Sequence, residues 1–416
     1  MTDTSNLFSK LNFFIRILIY LLPISFILGT AVPDILISII SIIFLVNLIF
    51  DKNYYETLKE YKQFIILGAL FYFYILLSSL FSEYLLESIQ KSLPMFRFLF
   101  FSLAMVSVLK KSDVKRLTII SSIIIALLIF DLIYQFYNGI NLTGNEYHYY
   151  RLSGFFGDEL IAGAFILKLI FPIIVYITFI YFDNFFVKNI VLLILIVFLF
   201  FIFLIIGERA ALVSFLIISS LLLLIYIKDL YPLLIILPLS CFVIFNYIFS
   251  LNNRSFSYRI FDDPTFIISN LTKLDLSMIA PFHSKLIDTS IEIFQSNIIF
   301  GTGFRTFRFA CRELESTSNE FLCSTHPHNL YFEVLSDLGL LGLILLLVII
   351  FLFLFKALIT FIKNNNNYLG VGYILSILTF IQPIQFSMST FHNWNTVILF
   401  FMISSAIILL KNDNRK

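Results

Sequence analysis

Runs of about twenty apolar residues, each long enough to carry a helix across the hydrocarbon core of a bilayer, recur along this chain from end to end. That core offers no water, so each backbone N–H and C=O must be satisfied within its own segment, and helices achieve this in a single chain. Segmenting on that rule gives twelve spans, at approximately 11–30, 33–50, 63–82, 93–109, 117–138, 159–182, 189–206, 209–227, 232–250, 338–362, 368–390 and 394–410. The second and fourth are short. Composition agrees: 60% of the 416 residues are hydrophobic and 13% are charged, about half the charge of a soluble domain this long. The expectation is an all-α polytopic membrane protein, a bundle of about twelve transmembrane helices with one large outer loop that contains short helices.

The net charge of +2 says little, because in a membrane the placement of Lys and Arg sets the orientation. With the N-terminus inside, the inner connections hold Lys52, Lys59, Lys62, Lys110, Lys111, Lys115, Arg116, Lys188, Lys228, Lys363, Lys411, Arg415 and Lys416. The short outer connections hold only Lys91, Arg151 and Arg209. Both termini are therefore expected in the cytoplasm. Outside lie the 139–159 loop, the tight G-E-R connection at Gly207 to Arg209, and the long 250–332 segment. The chain divides into 1–250 with helices one to nine, 251–332 as an external loop subdomain, and 333–416 with helices ten to twelve. No small-residue cleavage site follows the first apolar stretch, so that helix is expected to remain as an anchor. Cys241 lies in a span, whereas Cys311 and Cys323 share the outer loop, where an oxidising compartment could join them. Their spacing leaves that bond open. Residues 285–300 place Leu286, Ser290, Ile293, Phe294 and Asn297 on one face, with Ile287 and Ile291 beside it, the pattern of a helix lying on the outer membrane surface.

The stretch from Ser324 to Leu343 runs S-T-H-P-H-N-L-Y-F-E-V-L-S-D-L-G-L-L-G-L. It sets Thr325, His326, His328 and Asn329 at the lip of a hydrophobic helix, within reach of lipid head groups and aqueous solutes alike. Imidazole titrates near neutral pH, so His328 is suited to take a proton from a hydroxyl during attack, with His326 and Asn329 assisting. A lone His at a helix start is more often structural; here the second His and the amide weigh toward chemistry. Pro327 fits the first turn of the helix and would hold His328 and Asn329 where free amides favour anions. Gly339 and Gly342 form a small-x-x-small patch for close helix packing.

Arg209 has two readings, an interfacial side chain snorkelling or paired with Glu208, and an anion site. Its company favours the second. Arg151 opens R-L-S-G-F-F-G-D in another outer loop, and Arg254, Arg259, Arg305, Arg308 and Arg312 decorate the long one. Guanidinium forks suit phosphate oxygens, and their gathering outside points to a pyrophosphate-bearing ligand. Asp131 and Lys168 lie at about the same depth, roughly 10 to 13 Å below the outer ends of their helices at 1.5 Å per residue, and are expected to pair. Arg97 is shallower and reads as snorkelling, and Trp394 as an interface anchor. No phosphate-cradling glycine loop, zinc spacing or nucleophile elbow occurs, which argues against a nucleotide-driven pump or a membrane protease.

Four blocks together resemble the O-antigen ligase and polymerase family: H-P-H-N-L-Y-F-E-V-L-S-D-L-G-L-L-G-L, G-E-R-A-A-L-V-S-F-L, R-L-S-G-F-F-G-D-E-L and G-T-G-F-R-T-F. The resemblance runs from about Arg151 to the end. It implies a bundle of about twelve helices with a large periplasmic loop, in the bacterial inner membrane. It also implies transfer of a glycan from undecaprenyl pyrophosphate to a sugar hydroxyl, without metal, nucleotide or other cofactor. On that resemblance Arg209 engages the pyrophosphate and His328 assists the acceptor hydroxyl, with Arg151, Arg305, His326 and Asn329 binding substrate. These groups are expected to converge at the outer rim. The implied partners are the lipid-linked donor, a lipid A core or other glycan acceptor, and membrane lipids, with no nucleic acid. Glu208 departs from the small hydroxyl residue that often precedes the arginine, and with the chain ending just after its last span a protein acceptor is not expected. A ligase acts on lipid A core and a polymerase on another lipid-linked repeat, a difference these residues do not carry. The competing class, a lipid-linked glycan flippase, would need a charged central cavity, whereas charge here collects at the outer edge.

Overall fold

A computed structural model describes residues 2–50, 53–147, 151–226, 281–318, 321–363, 367–383 and 388–411. Its helices in chain order are α1 (Thr2–Ser25), α2 (Ala31–Phe50), α3 (Asn53–Glu60), α4 (Lys62–Leu80), α5 (Leu85–Ser92), α6 (Phe96–Val108), α7 (Lys111–Asn138), α8 (Ala162–Tyr181), α9 (Phe185–Ile206), α10 (Arg209–Tyr226), α11 (Pro281–Ser296), α12 (Phe307–Thr317), α13 (Leu330–Lys363), α14 (Tyr368–Ile381) and α15 (Asn393–Leu410). Among the described residues nine helical stretches are long and apolar enough to cross a membrane, and α14 is a shorter apolar helix. The chain is an all-α polytopic membrane protein. The expected 232–250 span lies outside the described residues, as do Cys241, Lys228, Arg254, Arg259, Arg415 and Lys416. The expected fourth span is a composite of α5, a single 3₁₀ turn at Leu93–Met95 and α6.

The described residues form two compact units. Residues 1–115, 280–367 and 386–416 make the first. In it the N-termini of α2, α6, α13 and α15 and the C-terminus of α4 share one rim. Asp34 meets Arg97 and Asn393 there, and the Ser78 hydroxyl donates to the Phe300 carbonyl at 2.8 Å. At the opposite rim Tyr20 and the Lys110 amide both donate to the Asp113 carboxylate, and Lys411 pairs with Glu60 at 2.7 Å. Trp394 is not a lipid anchor as expected: its indole is 1% exposed and donates to the Phe26 carbonyl at 3.1 Å, because that carbonyl sits past the end of α1 in need of a donor.

Helix α11 also differs from expectation. It begins at Pro281, and its buried face of Leu286, Thr289, Ser290 and Ile293 packs against Phe307, Cys311, Leu322 and neighbours and is not laid on lipid. Cys311 and Cys323 are joined in a disulfide, their Cα atoms 5.1 Å apart. That link gives the helix a protein surface to bury against.

Residues 116–279 and 368–385 make the second unit. Asn184 caps α9 by accepting from the Phe186 and Val187 amides, and Gly207 ends it in the left-handed conformation a helix C-terminus favours. Proline in mid-helix frees a backbone carbonyl; at Pro172 of α8 the close approach of Gly372, which has no room for a Cβ, seats α14 directly on that turn. The expected Asp131–Lys168 pair does not form. Asp131 instead accepts the Leu142 amide at 2.7 Å, tying the 139–147 loop to α7, while Lys168 lies over the Phe380 ring and within the field of Glu208.

Candidate functional site

Helix α13 is interrupted at Gly339, whose φ of 67° and ψ of −169° are not helical. A break of this kind strands backbone groups that a membrane rim cannot leave open. Four of them have partners from outside the helix. The Leu340 amide donates to the Ile298 carbonyl at 2.8 Å, while the Ser336 and Asp337 carbonyls accept from the Thr302 and Gly303 amides at 3.0 and 2.9 Å. The Leu338 carbonyl accepts from the Tyr74 hydroxyl at 2.6 Å. A Cβ at Gly339 would overlap the Ile299 carbonyl, so the glycine is required both for its backbone angle and for this contact. The expected packing glycine is thus a helix break that receives the G-T-G-F-R-T-F block, and two distant sequence blocks are halves of one docking.

That docking places charge. The buried Asp337 carboxylate accepts the Arg305 and Phe307 amides, both at 2.9 Å, and so caps α12. The Arg305 side chain reaches the Asn393 amide oxygen at 3.4 Å; Asn393 in turn donates to Asp34, which pairs with Arg97 at 2.7 Å. Arg97 is therefore an ion-pair partner and not a snorkelling side chain. Glu333, 2% exposed, accepts from the Ser389 hydroxyl with one oxygen; its other oxygen has no hydrogen-bond partner among the described residues, though Arg305 and Arg308 act on it electrostatically. Burial pulls the Arg305 guanidinium below its ordinary pKa and the Glu333 charge works against that. Asp34, Arg97, Glu333 and Ser389 were not singled out as site residues from the sequence, since nothing in linear order links α2, α6 and the approach to α15.

The histidine block lies ahead of the helix. Pro327 does not occupy its first turn: α13 starts at Leu330, and Asn329 is the cap, its side-chain oxygen accepting the Tyr331 and Phe332 amides at 3.0 and 3.4 Å. That oxygen is committed to capping and the amides it covers are not open to an anion. His326 is buried, with Nδ1 2.9 Å from the Thr325 hydroxyl, and its ring centroid is 4.1 Å from that of His328. His328 Nε2 stands 3.4 Å from the Ser324 hydroxyl. The Ser324 carbonyl lies 3.4 Å from Cys311 Sγ, so the disulfide sits directly beneath the loop that carries both imidazoles. Among the described non-glycine residues only Arg305 and His328 have positive φ, both at 60°.

In the second unit Arg151 donates to the Leu160 carbonyl and pairs with Glu208 at 3.4 Å. Glu208 also accepts the Ala164 amide at 3.1 Å, at the start of α8, and Gly163 leaves room for it. Burial raises the Glu208 pKa above the usual carboxylate range, with the Arg151 and Lys168 charges and the Ala164 amide opposing. The Leu152 amide donates to the Ile206 carbonyl at 3.1 Å, so R-L-S-G and G-E-R form one fixed turn pair. Arg209 opens α10 with an exposed side chain. The six site residues expected from the sequence thus fall into two sets, His326, His328, Asn329 and Arg305 on the first unit and Arg151 and Arg209 on the second.

Residues 194–347 match the family described as O-Antigen ligase. The matched segment is well under half of the chain, but it contains the G-E-R turn, the G-T-G-F-R-T-F block and the histidine block; the Arg151 block lies before it. Over that segment the chain is similar to the O-antigen ligase family. No curated protein matches the chain.

Proposed function

We propose that this protein transfers a glycan from undecaprenyl pyrophosphate to a sugar hydroxyl of lipid A core, at the periplasmic face of the bacterial inner membrane. In this scheme the acceptor oxygen attacks the anomeric carbon, the bond from that carbon to the phosphate oxygen breaks, and the hydroxyl proton passes to His328. The pyrophosphate leaves with the electron pair. Arg209, held near the fixed Arg151–Glu208 turn, and Arg305 are assigned to the charge that develops on it. His326 and Asn329 keep the His328 loop in place. No metal or cofactor has a role in the scheme.

The observation that carries this reading is backbone strain at chosen places. A non-glycine residue at φ near 60° is costly by about 1 kcal/mol or more, and such residues gather where function over-determines the structure. The two among the described residues are Arg305 and His328, which the chemistry of the sequence had already singled out. Orientation is supported by the basic residues Arg16, Lys59, Lys110, Lys111 and Lys411 toward the rim opposite the histidines, and by a disulfide on the histidine side. The division into 1–250, 251–332 and 333–416 belongs to the same reading.

Lipopolysaccharide from a deletion strain tests it. Loss of all polymer on core is expected. A single capped repeat would assign a polymerase, and lipid-linked repeats retained inside would assign a flippase. His328→Ala is expected to insert normally and abolish transfer, and Arg209→Lys to fail despite keeping its charge, because the planar fork is lost. Normal transfer by either variant refutes the assigned roles.

A further inference from the structure

Helix α11 turns one stripe toward the protein, Phe282, Leu286, Thr289 and Ile293, at spacings of four, three and four residues. Leu286 and Thr289 are wholly buried and Ile293 nearly so, yet Phe282 at the head of the same stripe is 49% exposed. A lipid anchor would sit on the opposite side of this helix. Phe282 overhangs the histidine block, its ring centroid 5.9 Å from His328 and 5.4 Å from His283. The His283 ring stands edge-on to His328, centroids 5.7 Å apart at 78°, with His326 behind at 4.1 Å. The result is an open phenyl face bordered by imidazoles, with the Thr325 side chain exposed beside them.

An acyl chain would use only the phenyl ring here, and a pyrophosphate would ask for guanidinium or ammonium groups. A sugar ring uses both kinds of surface, since it has an apolar C–H face and a rim of hydroxyls that bond to imidazole nitrogen. We infer that Phe282 and His283 form the docking subsite of the acceptor sugar, its C–H face stacked on Phe282 and its hydroxyls directed to His283 and His328. This rests on the reading of His328 as the group that receives the acceptor proton. Helix α11, fixed by its buried stripe to α12 and the disulfide, would then hold the acceptor while the histidine loop performs the chemistry.

The test uses the full-length protein in phospholipid vesicles, with lipid-linked glycan as donor and lipid A core as acceptor. Phe282→Ala is expected to raise the acceptor KM about five- to ten-fold, as loss of one aromatic contact would, with kcat within about two-fold and the donor KM unchanged, the signature of lost ground-state binding. Phe282→Trp is expected to keep the acceptor KM within about two-fold, since a larger ring preserves the stacking face. An unchanged acceptor KM in Phe282→Ala overturns the subsite. So does a fall in kcat at constant acceptor KM, which would make Phe282 a prop for His328. In a second arm the Phe282→Trp emission is titrated with delipidated core oligosaccharide, without donor. A saturable change relative to wild type is expected, and its absence, or a change produced by vesicles alone, overturns the proposal. If His328→Ala retains transfer, the proposed reaction falls, while this titration still decides whether a sugar binds.

Discussion

Asp337→Asn changes almost no volume, and the structure fixes what each carboxylate oxygen does. One accepts the Phe307 amide and the other the Arg305 amide, both at 2.9 Å, in a side chain that is 1% exposed. Asparagine keeps one oxygen and turns an NH2 toward the second donor. One charge-assisted bond is lost, about 1.5 to 3 kcal/mol, and a buried N–H is left without an acceptor, about 1 to 3 kcal/mol, two terms that partly describe the same loss. Relief of repulsion from Glu333, which acts on Asp337, offsets a fraction. The net expectation is a loss of about 3 kcal/mol, read as a fall of roughly 5 °C in the Tm of detergent-solubilised protein. Transfer should fall as well, because the left-handed backbone of Arg305 is held through that amide. Glu333→Gln is the control on the same helix: one of its oxygens has no hydrogen bond, the carboxylate's partners are the Ser389 hydroxyl and the Thr390 amide, and the glutamine carbonyl can keep an acceptor there. Its Tm should move by less than about 2 °C. An unshifted Asp337→Asn, or an equal fall in both variants, refutes the account of the break.

Gly339→Ala should be worse than Asp337→Asn, by about 1 to 2 kcal/mol of backbone strain added to collision with the Ile299 carbonyl, seen as a lower Tm and yield. Replacing Cys311 and Cys323 together by serine should cost about 3 kcal/mol for a loop this short and reduce transfer by loosening the histidine loop; unchanged Tm and rate would separate the disulfide from the site. Glu208→Gln leaves Arg151 and the buried Lys168 less compensated and should destabilise by about 3 kcal/mol, with Lys168→Met restoring part of the Tm in the double variant. Single cysteines at Thr143 and at Lys111 should react with an impermeant maleimide from the periplasmic and cytoplasmic sides respectively, and the reverse pattern would invert the proposed orientation.

The membrane helices were legible because each is specified redundantly. Twenty apolar residues state the same requirement, so α7 or α9 survives an error of several positions at either end. The rim is specified by single pairings between distant segments, and those leave little trace in linear order. Asp131 and Lys168 matched in depth and charge, yet depth does not fix the azimuth of a side chain around its helix, and each found another partner. Arg97 looked solitary because its partner Asp34 lies on α2, four helices earlier. Trp394 carried the composition of an interfacial anchor, but an unsatisfied carbonyl at Phe26 drew it into the core. For α11 the amphipathic pattern was right and the identity of its apolar partner was not, since periodicity says which face is buried and never against what.

The histidine block shows why motif recognition outran motif explanation. Within H-P-H-N-L-Y-F-E-V-L-S-D-L-G, Asn329 caps α13, Asp337 caps α12, the Ser336, Asp337 and Leu338 carbonyls accept across the break, and Gly339 makes the break possible. These positions serve the backbone, and any chain that interrupts a membrane helix at its rim must supply their equivalents. What is left for chemistry is small: His328, on a strained backbone at the mouth of the block, and Glu333, whose second oxygen faces the arginine charges without a hydrogen bond. A chain built only to cross the membrane would have no reason to place a strained imidazole above a helix break, and the G-T-G-F-R-T-F block that repairs the break also delivers the strained Arg305 to the same end of α13. Repair and chemistry are therefore one construction, so changes to the repairing groups should appear first as lost stability and only then as lost transfer, whereas changes to His328 should appear as lost transfer alone.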